Sequence, residues 1–356
     1  MERIPIQDMG DDALYELAEQ YDEADECEKA FPIYEKLANK GHAEAQEALG
    51  CCYQFGNGVE QNIEKAFEWY IKSASQGCAD AMEDIGELYE DGLLPEGKDL
   101  EKAVEWYEKA KKHGSTQALI DLGNLYRKGE FINKDLLKAN EYFFEAFEKA
   151  DNDDEKGFAA CYIGVVFEEI ELYEDAYKYY EQAAMMGCDQ ALVRLGLLCD
   201  LGWGVDQDFA KAFDYFSMAY EKGVTSATKW LGDAYYFGSG TSKDLSKAVI
   251  YYEEAAENGD TYAMDRLCSI YSNEGGFEDE WGRLLDLLSQ AAKKGDPVAM
   301  LNLGRMYQWG ENGCEKNWKK AFDLLSQAAD LGNDEALEAL SYFYDEDGEL
   351  ENEDEL

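Results

Sequence analysis

Apolar and small residues recur along almost the whole chain at steps of three and four, the spacing of one helix face rather than the alternation of a strand. One pattern dominates: an Ala, a small residue five positions on, and an aromatic three beyond that. It occurs at Ala45-Gly50-Tyr53, Ala81-Gly86-Tyr89, Ala118-Gly123-Tyr126 and Ala159-Gly164-Phe167. It recurs at Ala191-Gly196-Cys199, with Cys in the aromatic's place, and at Ala227-Gly232-Tyr235 and Ala299-Gly304-Tyr307. Ala13-Ala18-Tyr21, Ala263-Cys268-Tyr271 and Ala336-Ser341-Tyr344 keep the spacing with another small residue in place of Gly. Ala45, Leu49 and Tyr53 step by four, so the pattern predicts a helix, called A.

A second element follows each of the first nine copies. Its anchors are Ala30, Ala66, Ala103, Ala139, Ala176, Ala212, Ala248, Leu284 and Ala321, spaced 36 or 37 residues apart. An aromatic or Leu lies four residues after each anchor, as in Lys65-Ala66-Phe67-Glu68-Trp69-Tyr70. This predicts a second helix, B. Gly at 41, 77, 114, 187, 223, 259, 295 and 332 stands where helix B should stop, as a left-handed cap would. A short loop such as Gly56-Asn57-Gly58-Val59 joins A to B, so each unit reads as a helical hairpin.

Glycine inside helix A costs about 1 kcal/mol relative to Ala, so seven copies cost about 7 kcal/mol. Close helix–helix approach is the expected compensation, and the replacements Ala18, Cys268 and Ser341 are all small. The small and aromatic positions are expected to interlock between neighbouring hairpins. No single hairpin buries this face alone, so the units should stack as a solenoid.

These motifs resemble the Sel1-like repeats, relatives of the tetratricopeptide repeats, over nearly the full chain. The match is close at 45–77 and good at 191–223 and 227–259. The resemblance implies an all-α, right-handed α-solenoid of about nine hairpins plus a C-terminal capping helix, with A helices lining the concave face. Residues 1–11 are expected to be an N-terminal extension and 12–345 one continuous solenoid. Its units start near 12, 44, 80, 117, 158, 190, 226, 262 and 298, with the cap at 335–345 and an acidic tail at 346–356. Two units have a gap of 12 rather than 16 or 17 residues between the small position and the next anchor, at Ala18–Ala30 and Gly164–Ala176, and should have tighter turns. Extra residues in Asp151-Asn152-Asp153-Asp154-Glu155-Lys156-Gly157 read as an acidic loop and a bend. Its Gly is not at the sixth position that a calcium loop needs. The unit with Gly275-Gly276 is the most degenerate.

Charge narrows the function. The 356 residues carry 78 Asp+Glu against 32 Lys+Arg, a formal net charge of -46. That argues against nucleic acid and against an anionic membrane surface, and permits a basic protein partner. Hydrophobic residues at 46% are enough to build a core. No apolar run reaches membrane-spanning or signal-peptide length, so a reduced, cytoplasmic setting is expected.

Little of the chain resembles a catalytic or metal site. Nine cysteines form no Cys-x-x-Cys pair, and only His42 and His113 accompany them, both expected in loops. Cys51, Cys52, Cys161, Cys199 and Cys268 fall in A helices, as core or groove residues. Gly202-Trp203-Gly204 and Gly238-Ser239-Gly240 belong to A–B loops and complete no phosphate motif. Some exported members of the family are linked to β-lactam chemistry, but those carry cysteine pairs in each repeat, which this chain lacks. No enzyme activity, cofactor or metal is expected.

The remaining candidate is a partner-binding groove. By analogy with tetratricopeptide usage, its inward positions around Gly86 are Asp80, Glu83, Asp84, Glu87, Glu90 and Asp91, all acidic. Preceding units add Asp12, Glu16, Glu19, Asp22, Glu23, Glu44 and Glu47. Later units mix acids such as Asp121, Glu168, Glu169, Asp200, Asp233 and Asp265 with Arg127, Lys128, Arg194, Lys229, Arg266 and Arg305. Aromatics share that strip, among them Trp230, Tyr236, Phe237 and Trp309, and Arg, Trp and Tyr are the usual hot-spot residues. The expected function is a non-enzymatic scaffold or adaptor holding an elongated protein, its basic part on the acidic strip. The alternative is an acidic inhibitor, a toxin-immunity protein or a mimic of nucleic acid, that neutralises a basic protein such as a nuclease.

Overall fold

Helix stop signals and small-residue spacing decide the architecture. The computed structural model describes residues 9–129, 133–274, 281–310 and 314–344. Nineteen α-helices and no strand lie among them. They fall into two compact units, Met1–Cys188 and Asp189–Leu356.

The first unit holds the hairpins α1 (Asp11–Glu23)/α2 (Cys27–Lys40), α3 (Ala43–Phe55)/α4 (Ile63–Ala74) and α5 (Ala79–Glu90)/α6 (Leu100–Lys112). It continues with α7 (Gln117–Lys128)/α8 (Leu136–Lys149) and α9 (Asp153–Glu169)/α10 (Tyr173–Met185). The second unit holds α11 (Gln190–Leu201)/α12 (Phe209–Glu221), α13 (Thr228–Phe237)/α14 (Leu245–Glu257) and α15 (Thr261–Glu274)/α16 (Trp281–Lys293). It ends with α17 (Pro297–Trp309)/α18 (Trp318–Asp330) and the single helix α19 (Asp334–Ser341). Gly275-Gly276, most of the N-terminal extension and the acidic tail lie outside the described residues.

Local chemistry explains the boundaries. Asn62, Asp99, Asp135, Asp208, Asp244 and Asn317 cap B helices, each side chain accepting from the N–H three residues on. The glycines that stop B helices all take positive φ, from 83° at Gly223 to 102° at Gly114. Where the A–B gap is short, the left-handed residue is not Gly: Asp25 (φ 58°) and Glu171 (φ 62°) turn the chain in the two tight hairpins.

The mid-helix glycines are in contact, but inside each hairpin. A Cβ on Gly50 would sit 2.5 Å from the Tyr70 ring, and on Gly86 the same distance from Tyr107. Gly196 meets Phe216 at 2.5 Å, Gly164 and Gly232 meet Tyr180 and Tyr252 at 2.7 Å, and Gly123 meets Phe143 in the same way. These rings stand four residues after the B anchors of their own hairpins. Of the two pattern positions, the aromatic is the one that reaches the neighbouring hairpin: Phe31 meets Tyr53, Phe67 meets Tyr89 and Phe213 meets Tyr235 edge-on, at 5.5–6.0 Å. The small residue thus sets the A–B distance, and the aromatic sets the stacking of one hairpin on the next.

Three expected boundaries shift. The acidic segment at 151–157 is not a loop: Asn152 caps a helix that starts at Asp153, and Asp153, Asp154 and Glu155 form its first turn. Carboxylates favour that end of a helix, so the charge extends α9 instead of bending the chain. The unit expected near 158 therefore starts at 153. Near 226 a 3₁₀ turn, Thr225–Ala227, precedes α13. The final helix is shorter than 335–345, ending at Ser341.

Candidate protein-binding surfaces

In the first unit, carboxylates of neighbouring A helices crowd together. Asp80 on α5 and Asp91 just after it are exposed, whereas Glu83, Asp84, Glu87 and Glu90 are half-buried. Ser115 Oγ donates to Glu83 Oε2 at 2.7 Å, and Tyr107 Oη donates to Glu90 Oε2 at 2.9 Å. Asp84 Oδ2 is buried without a hydrogen-bond partner, as is Asp121 Oδ2 on α7.

Their titration follows from this placement. Burial, then repulsion from Glu47, Glu87, Glu83 and Asp80, pushes Asp84 up to about 9. Burial, then Glu83, pushes Asp121 up to about 8 against a hydrogen bond from Gln117. Burial raises Glu83 to about 7 despite its Ser115 bond, and burial also raises Glu47 and Glu87. At neutral pH, Asp84 and Asp121 therefore hold protons, and the strip carries less charge than its six carboxylates suggest.

Glu47, Cys51 and Asp84 bring three potential metal-ligand atoms within 4.8 Å of one another. Burial and the Glu47 charge push the Cys51 thiol far up, and its Sγ donates to Glu47 at 2.9 Å. In this state the thiol is protonated and bonded to Glu47, while Asp84 Oδ2 beside it has no hydrogen-bond partner.

The bases expected in the groove reach across to the next A helix. Arg127 Nη1 on α7 lies 2.6 Å from Glu169 Oε1 on α9, and Lys134 reaches the other oxygen at 2.6 Å. Lys128 lies 3.8 Å from Glu90. In the second unit Lys229 pairs with Asp260 at 2.8 Å, Arg266 Nε stands 3.9 Å from Asp233, and Arg305 pairs with Glu335 at 3.2 Å. These bases stitch neighbouring A helices together. Arg194 is exposed on α11.

The aromatics divide. Trp230 is half-buried and stacks on Phe216 with centroids 6.0 Å apart. Tyr236 and Phe237 meet edge-on at 4.9 Å, and the Arg266 guanidinium lies 5.0 Å and 5.1 Å from their ring centres and 5.7 Å from that of Tyr262. Phe237 remains 60% exposed and Trp309 55% exposed, so both offer ring surface to a partner. His42 caps α3 through Nδ1 and stacks on Tyr15, and His113 ends α6.

The Sel1 repeat family matches residues 43–78, 79–115, 116–151, 171–188, 189–224, 225–260 and 297–333, together about two thirds of the chain. The chain belongs to the Sel1 repeat family. Among solved structures it is similar to c5321, a protective antigen present in uropathogenic Escherichia coli strains, at 27% identity. That likeness covers 88% of this chain and 67% of c5321, with a TM-score of 0.55. It also shares its fold with a Sel1 repeat protein from Oxalobacter formigenes, at 22% identity, 96% coverage of both chains and a TM-score of 0.56. No curated protein matches. The fold is thus the helical solenoid of Sel1 repeat proteins.

Groove-position counting missed what the B helices contribute to the Sel1 face. Tyr70, Tyr107, Tyr180 and Tyr252 extend hydroxyls to Gln54, Glu90, Glu168 and Asp233 on their A helices. A legible signal existed: the ring four residues after the B anchor is Tyr in these hairpins and Phe at 143 and 216.

Proposed function

We propose that this Sel1 repeat protein is a non-enzymatic scaffold that binds a protein partner along its A-helix face. In the first unit Asp80, Glu83, Asp84, Glu87, Glu90 and Asp91 receive a basic segment of that partner. In the second, exposed rings and the Arg-bearing strip receive its less basic part. The observation that carries the reading is the unbalanced charge beside Asp84. Burial, and after it repulsion among carboxylates of α3, α5 and α7, raises Glu83, Asp84 and Asp121, whereas Glu169 on α9 has two bases of its own. A folded protein that tolerates this repulsion gains when cations from a partner cover it.

The test is capture of the partner from the native cell at low salt, followed by binding of the identified partner to the full chain and to the variant Asp80→Lys/Glu87→Lys/Asp91→Lys. These positions leave the Ser115–Glu83 and Tyr107–Glu90 bonds intact. Binding should weaken with salt and fall in the variant. Undiminished binding removes the acidic strip from the account.

A further inference from the structure

Asp200 breaks a pairing that other hairpins keep. The fourth residue after the A-helix glycine is Gln54 in α3, Glu90 in α5 and Glu168 in α9. Each accepts a hydroxyl from its B helix: Tyr70 at 2.7 Å, Tyr107 at 2.9 Å and Tyr180 at 2.6 Å. In the hairpin α11/α12 that position is Asp200, and the ring against Gly196 belongs to Phe216, which has no hydroxyl to give. Burial, then the nearby Asp233 charge, raises the Asp200 carboxyl, and among the described residues no base lowers it.

Beside this carboxylate lies a cavity of about 160 Å³, lined by the rings of Phe213, Phe216, Trp230 and Phe237 and by Asp200 and Asp233. Ligand pockets for cofactors and drug-sized molecules run to roughly 300–1,000 Å³, so this one suits the end of a single side chain. Ring faces attract cations, and the two carboxylates give the same sign of field. Asp233 is already engaged by the Tyr252 and Tyr262 hydroxyls and by Arg266, which leaves Asp200 to meet an incoming charge. A guanidinium stacks on rings and sheds water more readily than an ammonium. The chain uses that chemistry next door, where Arg266 lies against Phe237.

We propose that the pocket between α11, α12 and α13 receives an arginine side chain of the bound partner, its guanidinium against Trp230 and Phe216 and paired to Asp200. The assignment rests on the scaffold reading for its biological source, but the pocket can be tested alone. The full chain, labelled with 5-fluorotryptophan, is titrated with Nα-acetyl-arginine methylamide while ¹⁹F resonances are followed; Trp230→Phe assigns the Trp230 signal. That signal should shift saturably with the arginine compound and not with its uncharged citrulline counterpart. Asp200→Asn should weaken binding about tenfold, the size of one lost charge-assisted hydrogen bond. Phe216→Tyr should do the same by giving Asp200 the hydroxyl that other hairpins supply; unchanged circular dichroism shows that both variants fold.

No saturable shift, an equal response to citrulline, tighter binding of the lysine analogue, or full affinity in both variants overturns the proposal. Partner capture in the absence of arginine-probe binding removes the pocket and leaves the scaffold reading standing. Probe binding by a chain that captures no partner does the reverse.

Discussion

Tyr107 lies so close to Gly86 that a methyl group on the glycine would sit 2.5 Å from the ring carbon Cε1. Both residues are buried, and the ring is further held by its hydroxyl on Glu90. The contact explains a residue that helix propensity alone disfavours. Gly86→Ala gains about 1 kcal/mol of propensity. It also forces a ring displacement in a packed core, at a cost of about 1–3 kcal/mol and more where nothing can give way. The expected outcome is net destabilisation of up to about 2 kcal/mol, read as a lower urea midpoint.

Gly282 is the control. It lies in α16 with nothing within 4 Å of where its Cβ would be, and it is exposed. Gly282→Ala should raise stability by about 0.5–1 kcal/mol, because only propensity changes. If Gly282→Ala and Gly86→Ala shift the denaturation midpoint alike, close A–B approach is not what keeps glycine in helix A.

Asp84 and Asp121 make an acid-favoured fold. Each binds its proton more tightly folded than unfolded, so folding takes up protons between the ordinary carboxylate range and about 9 for Asp84 and about 8 for Asp121. Stability from these groups is greatest below that window and falls as pH rises through it. Glu108 and Glu169 act in the opposite sense. Burial tends to raise both, but Lys111 with Tyr142, and Lys134 with Arg127, hold them low. Their contribution is present above the usual glutamate range and lost only as pH falls beneath it. Thermal midpoints should therefore rise from pH 8 to pH 5 and drop again below about 4. Asp84→Asn should stabilise the chain at pH 8, by about 1 kcal/mol or more, and do little at pH 5.

The same protons report on binding. A basic segment laid on α5 favours the charged carboxylates, so Asp84 and Asp121 should release protons as it docks. Calorimetry of the identified partner in buffers of different ionisation enthalpy should show release near pH 7, and Asp84→Asn should reduce it. Binding without proton release places the partner elsewhere on the chain.

Repeat spacing made the hairpins legible because a helical face and its stop signals are local. Gly41, Gly77 and Gly114 sit where a B helix must end, and the anchors mark each B helix without any knowledge of packing. The destination of the small residue was not local. Whether Gly86 faces Tyr107 in its own hairpin or a ring in the next depends on helix rotation that a one-dimensional pattern leaves open. The acidic residues of the groove were found by position, but their protonation depends on burial and on Glu47, 37 residues before Asp84. By position alone Arg127 counts as an anchor for a partner, because its ion-pair partner Glu169 lies 42 residues away in the sequence. At 151–157 acidic composition suggested a loop, whereas Asn152 as a cap and three acids in the first turn are equally a helix start.

Arg266 tests whether the later strip is structural or a landing site. Its guanidinium lies against Tyr236, Phe237 and Tyr262 and near Asp233, so it joins α13 to α15. A planar group fills that position, and a lysine ammonium cannot stack in the same way. Burial tends to lower the Arg266 pKa, but Tyr252, Tyr262 and Asp233 raise it, and Arg266 is one of the two bases whose charge acts on Asp233, beside Lys229. Arg266→Lys and Arg266→Ala should both destabilise the second unit, by about 1–2 kcal/mol, with Lys recovering less than half of the loss. Hydrogen exchange should localise the loosening to α13 and α15. If stability is unchanged while partner affinity collapses, Arg266 works on the partner, and the ladder of bases between A helices is not what holds the second unit together.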